Sequence, residues 1–230
     1  KNLFRHGGAK VKNCWQFYSI LIGFFSIFVG SLGGLVQRKI KTLLAYSSIS
    51  HMGYCLTAFS TATFTGIQMF LFYFFVYMAS GFLILYLYLL IKLKNKYLKN
   101  KYSKELCDLA LLKKSNPGLA LCLALIMFSV AGIPPVIGFF AKINIFLSLI
   151  GVSFYYLALF SVIFSVVATF YYIRIIKILY FENLLVGKLY YPIKNTKTIF
   201  LSFLIFLTIY FFVNPNFLYL VCCKSIVYFL

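Results

Sequence analysis

Lys142 is the residue whose surroundings most strongly suggest chemistry. It closes the stretch Ser129-Val-Ala-Gly-Ile-Pro-Pro-Val-Ile-Gly-Phe-Phe-Ala-Lys142 and is the sole charged residue in the central part of any long apolar segment. A charge in hydrocarbon is costly, so a lysine there marks a functional site, and one that exchanges a proton with water or a polar neighbour can serve as a relay. Two consecutive prolines, Pro134 and Pro135, with Gly132 and Gly138 beside them, cannot continue a regular helix. The segment 118–150 therefore reads as a spanning helix broken near its middle, at Gly132–Pro135. Such a break frees backbone amides and carbonyls and admits water.

The second constellation is Ser47, Ser50, His51 and Tyr54, at i, i+3, i+4 and i+7. That spacing puts them on one helix face. A polar stripe must face protein or water in a membrane, so this helix is read as interior. An imidazole has two ring nitrogens and exchanges protons near neutrality, which suits a relay. Bland readings stand beside these. Lys142 could be a lysine reaching toward an interface, and His51 an interior residue satisfied by its neighbours. Tyr171 and Tyr172 read as packing residues.

The elements that must position these groups follow from composition. The chain has 230 residues, 63% hydrophobic and 11% charged, against about one quarter charged in soluble domains. Long unbroken apolar runs, without the short alternation of a β-barrel, give an all-α integral membrane protein. Six transmembrane helices are expected at about 15–36, 42–63, 67–91, 118–150, 154–180 and 198–213. A basic leader, 1–14, precedes them and an apolar tail, 217–230, follows. The third span, rich in Phe, Tyr and Leu, reads as bordering lipid or a neighbour. Residues 105–114 read as a short surface helix. Gly30-x-x-x-Gly34 is a small-residue spacing suited to close helix packing.

The net charge of +19 is loop topology rather than a nucleic-acid face. The connections after spans one, three and five hold 16 of the 22 basic residues, which places them on the cytoplasmic or matrix side and both termini opposite. Six cysteines, scattered singly apart from Cys222-Cys223, with no C-x-x-C and no His/Cys cluster of zinc spacing, point to no metal and no iron–sulfur centre. No glycine-rich nucleotide motif appears, and all three acids lie outside the spans, so no cofactor and no self-contained catalytic set is expected.

Two motifs carry a family resemblance. Gln37-Arg-Lys-Ile-Lys-Thr-Leu-Leu-Ala-Tyr-Ser-Ser-Ile-Ser-His-Met-Gly-Tyr54 resembles the Q-x-x-I-K-x-L-x-A-Y-S-S-I-S-H-x-G-Y signature of the antiporter-like subunits of respiratory complex I. The stretch 129–142 resembles that family's S-x-A-G-I-P-P-x-x-G-F-x-x-K. A lysine at 142, where related subunits carry glutamate, is similar to the subunit-2 branch. The resemblance implies a proton-translocating membrane-arm element of NADH:ubiquinone oxidoreductase in the mitochondrial inner membrane. It matches the six spans to helices 9 to 14 of a 14-helix subunit, Lys142 to the lysine after the broken helix, and His51 to the helix-10 histidine. Ser47, Ser50 and Tyr54 would hold connecting waters. The family's first half, with a glutamate on helix 5 and lysines on helices 7 and 8, has no counterpart here. The resemblance therefore implies a divided subunit, with a second polypeptide supplying the missing helices among other membrane-arm partners. A multi-subunit cation/proton antiporter shares these motifs and is the alternative, as is a structural membrane element without transport.

Overall fold

The computed structural model describes residues 9–93, 101–102, 105–134, 136–182 and 195–229. Residues 1–8 of the leader, with Lys1 and Arg5, Pro135, and the loop lysines Lys94, Lys96, Lys99, Lys104, Lys188 and Lys194 fall outside the described residues. The chain is built from α1 (Ala9–Val36), α2 (Ile40–Ser60), α3 (Phe64–Leu90), α4 (Leu112–Ser115), α5 (Pro117–Ala131), α6 (Gly138–Gly151), α7 (Tyr155–Phe181), α8 (Asn195–Val213) and α9 (Asn216–Phe229). Between α3 and α4 lie a two-stranded ribbon, β1 (Lys92–Leu93) against β2 (Lys101–Tyr102), and a 3-10 turn, Leu106–Leu111.

Among the described residues, three helices are long and apolar enough to cross a membrane: Cys14–Val36, Phe64–Leu90 and Tyr155–Phe181. The pair Lys197–Val213 and Asn216–Tyr228, bent by 83°, makes a fourth if counted as one span. Pro117–Ala131 and Gly138–Gly151 are shorter apolar helices, each below the length of a crossing by itself. Pro117 at the first turn of α5 has no amide to leave unpaired. At the other end Gly132 adopts φ 79°. Its amide and that of Ile133 bond back to Ser129 and Phe128, the closed C-terminal arrangement that ends a helix.

Helices α1 and α2 form an antiparallel pair whose backbones touch. A Cβ on Gly30 would lie 2.6 Å from the Ser50 amide and 2.8 Å from the Tyr46 carbonyl, and one on Gly53 would lie 2.9 Å from the Ile27 amide. Gly34 instead faces the Tyr171 ring. With no hydrophobic drive between helices in lipid, such close van der Waals packing is a main source of association. Gly30→Val should therefore cost about 1–3 kcal/mol by overpacking, read as lower chain abundance and an earlier thermal transition. Gly81→Ala, where a Cβ meets nothing within 4 Å, should leave both unchanged.

The described parts of the basic connections gather at one end of the bundle. The backbone of Lys39 forms an isolated antiparallel bridge with that of Glu105, Leu106 donates its amide to the Arg38 carbonyl at 3.0 Å, and the Arg174 guanidinium reaches the Leu35 carbonyl at 3.4 Å. The segment expected as a surface helix is instead folded inward. Leu106, Leu109 and Leu112 are buried against α5 and α7, each contributing about 1.5–3 kcal/mol relative to exposure. Asp108 accepts the Glu105 amide and fixes the start of this turn. The third span likewise has two faces. Phe72, Tyr73, Val76, Ser80, Leu83 and Leu87 are buried, whereas Phe75, Met78, Phe82 and Leu89 are exposed.

Buried apolar residues fall into two clusters. One surrounds α4, α5 and the second half of α7. The other surrounds α6, the second half of α2 and the first half of α3. Lys142 and His51 lie where the two meet.

Candidate proton-relay site

Lys142 sits one turn into α6 and is 6% exposed. Its Nζ donates a 2.6 Å hydrogen bond to the Ala131 carbonyl at the end of α5. In a continued helix that carbonyl would accept from residue 135, but residue 135 is proline and has no amide to give. The helix break thus leaves an acceptor and the lysine takes it. Gly132 makes room: a Cβ there would lie 2.7 Å from Lys142 Cδ. On its other side, Nζ stands 5.7 Å from the centre of the Tyr54 ring, within range of a favourable cation–π contact.

His51 is 5% exposed and both ring nitrogens are engaged. Nδ1 lies 2.6 Å from Tyr73 Oη on α3 and Nε2 lies 3.1 Å from Tyr172 Oη on α7. A neutral imidazole donates from one nitrogen and accepts at the other, so this ring joins two hydroxyls into one directional chain. The Tyr171 hydroxyl extends it, donating to Tyr172 Oη at 3.4 Å. The Tyr77 ring stacks on the imidazole with centroids 4.7 Å apart.

His51 and Lys142 face one small cavity of about 10 Å³, bounded also by Tyr73, Tyr77, Ser80 and Ser129. A void of that size is about the room one water needs. Ser129 Oγ is buried and, among the described residues, has no hydrogen-bond partner, so it is available to such a water.

The five sequence-predicted residues are all buried, but they do not converge on one point. Lys142, His51 and Tyr54 come together. The Tyr54 hydroxyl turns away to the Ser161 carbonyl at 3.3 Å, so the lysine meets its ring rather than its oxygen. Ser47 and Ser50 do not border the cavity. Their hydroxyls bond back to the Leu44 and Tyr46 carbonyls of their own helix, and they lie beside Tyr172 and Tyr171 respectively. The residues that sequence reasoning missed are Tyr73, Tyr77 and Ser129, along with the hydrogen-bonding part of Tyr172. One signal for them existed. Tyr73, Tyr77 and Ser80 sit at i, i+4 and i+7 within an apolar helix, a polar stripe parallel to that of α2.

Tyr73→Phe or Tyr172→Phe removes one partner of the imidazole and leaves a buried nitrogen unsatisfied. Either change should destabilise the fold by about 1–3 kcal/mol, measured as a shift in the denaturation midpoint of the purified protein. Tyr156→Phe, at a position 94% exposed, should not move it.

Residues 3–168 match the model of the NADH:quinone oxidoreductase/Mrp antiporter transmembrane family. The chain is 40% identical over 207 residues to NADH-ubiquinone oxidoreductase chain 2 of Marchantia polymorpha, covering 90% of this chain and 41% of that one. It is 38% identical over 169 residues to NADH-quinone oxidoreductase subunit N of Pelagibacter ubique, covering 74% and 35%. The chain thus spans about two fifths of the length of the curated relatives it matches. In fold it is similar to a chain of respiratory complex I from Thermus thermophilus, with TM-score 0.74, 24% identity, and 88% and 44% of the two chains covered. It is equally similar to a chain of the Mrp complex from Dietzia, with TM-score 0.75, 16% identity, and 91% and 46% covered. The match across most of the chain places this protein in the NADH:quinone oxidoreductase/Mrp antiporter membrane family.

Proposed function

We propose that this chain is the proton-translocating membrane-arm part of an NADH:ubiquinone oxidoreductase, carrying the C-terminal half of a proton path. The observation that carries the reading is Lys142, buried on a carbonyl freed by a proline and facing one cavity with His51. Lys142 is the exit-side relay. It gives its proton to a water in the cavity and holds its place on the Ala131 carbonyl. His51 is the central relay, and a change of tautomer carries a proton between Tyr73 and Tyr172. Tyr54 supports the ammonium with its ring face, while Ser47 and Ser50 line the polar axis beside Tyr172 and Tyr171.

In this reading α5 and α6 are two halves of one broken crossing. Together with α1, α2, α3, α7 and α8 that makes six, in one membrane domain over 15–230. The basic connections face the mitochondrial matrix and both termini face the intermembrane space. NADH, flavin, iron–sulfur and ubiquinone chemistry belong to partner subunits. A second polypeptide brings the helices with the glutamate and two further lysines.

A cation/proton antiporter subunit is the second reading, because the fold likeness to the Mrp complex is as strong as that to complex I. The higher sequence identity to NADH-ubiquinone oxidoreductase chain 2 supports the first. Mass spectrometry of the complex purified natively on this chain separates them. NADH dehydrogenase subunits and a small membrane chain with an intramembrane glutamate should co-purify. Recovery with antiporter subunits alone would reject the complex I reading.

A further inference from the structure

A second cavity, of about 410 Å³, lies between α2 and α3. Lys41 and Tyr88 stand at one end, and Leu44, Gly81 and Leu85 line its length. It ends at Tyr77 and Val130, which also bound the small cavity at Lys142. From Tyr88 to Tyr77 is 11 residues of helix, about 16 Å at 1.5 Å per residue. The void opens sideways, since Leu85 is 60% exposed. Gly81 adds to its width, because no atom lies within 4 Å of where its Cβ would be.

The two ends differ in chemistry. Lys41 is exposed at the end of the bundle where the basic connections gather, and its Nζ stands 5.7 Å from the Tyr88 ring. A lysine beside an aromatic ring at a helix end is how membrane proteins meet the headgroup layer. Basic pockets between helices on the matrix or cytoplasmic side bind anionic headgroups. Inward from there the lining is long and mostly apolar, with Ser47 and Ser48 the polar side chains between Lys41 and Tyr77, and the predominance of Leu44, Ala45, Gly81, Ile84 and Leu85 suits hydrocarbon.

We propose that this groove binds an anionic phospholipid. The phosphate pairs with Lys41 at the basic end, and one acyl chain lies along Leu44, Gly81 and Leu85 with its tip against Tyr77. The chain would keep the far side of the Tyr77–Val130 wall dry. The cavity shared by His51 and Lys142 would then have no water-filled opening toward the basic end through this groove. The inference rests on the membrane placement of the chain and not on Lys142 acting as a relay.

The test uses the assembled complex, stripped of lipid in detergent and titrated with phosphatidylglycerol or phosphatidylcholine, with bound lipids counted by native mass spectrometry. Gly81→Leu puts a branched side chain into the groove from a position where the Cβ meets no protein atom within 4 Å, and Lys41→Gln removes the headgroup partner. Each variant should assemble and bind one phosphatidylglycerol fewer than the wild type, and the wild type should take phosphatidylglycerol in preference to phosphatidylcholine at this site. An unchanged phosphatidylglycerol count in Gly81→Leu overturns the proposal. So does failure of Gly81→Leu to assemble combined with an unchanged count in Lys41→Gln, which would mean a polypeptide fills the groove. Normal proton pumping by Lys142 variants would leave it standing.

Discussion

A complex carrying Lys142→Met should assemble and lose most of its NADH-driven proton translocation. Methionine is close to lysine in length and flexibility, so it fills the same space above Gly132 and beside Tyr54 without opening a hole. What it removes is the exchangeable proton and the bond to the Ala131 carbonyl. A positioned proton-transfer group typically contributes 10²–10⁴-fold to the step it serves. Even where that step shares control of turnover with others, pumping should fall by about tenfold or more. The measurement is acidification of reconstituted vesicles alongside NADH oxidation. Wild-type pumping in Lys142→Met would assign this chain a purely structural place in the membrane arm.

Gly138→Val should have a comparably large effect by a different route, through failure to assemble. A Cβ at Gly138 would run directly into the carbonyl of Ser129, a backbone atom on the facing helix that has no rotamer to yield. Overpacking costs about 1–3 kcal/mol, occasionally more, and a contact with backbone falls at the upper end. The damage would also reach the site. Lys142 follows Gly138 by one helical turn on the same face, so pushing α6 away from α5 draws Nζ off the Ala131 carbonyl. The mature complex should be nearly absent on a native gel. Gly118→Ala, at a position where a Cβ meets nothing within 4 Å, should give normal amounts.

The parts of this site that were legible in the sequence are those set by local rules. Tandem prolines between glycines end a helix wherever they fall, and a lysine four residues past Gly138 in an apolar run stands out against any background. The spacing of Ser47, Ser50, His51 and Tyr54 likewise fixes a shared face before any partner is known. What was not legible depends on which faces meet. Tyr73 belongs to a span that reads as bordering lipid or a neighbour, and Tyr172 reads as a packing residue; they hold the imidazole because α3 and α7 turn those positions toward α2. Ser47 and Ser50 share the stripe but spend their hydroxyls on carbonyls of their own helix, a choice open to any serine there. Residues 105–114 read as a short surface helix, yet Leu106, Leu109 and Leu112 are buried in the bundle where the turn docks on α7.

The central claim is that Lys142 must release its proton, and Lys142→Arg tests it most directly. Arginine keeps a positive charge and hydrogen-bond donors at the helix break, but its guanidinium stays protonated in proteins. Proton translocation per NADH oxidised, measured in vesicles with the assembled variant, should fall as far as in Lys142→Met. Wild-type translocation by Lys142→Arg would show that a fixed charge suffices and would contradict the relay.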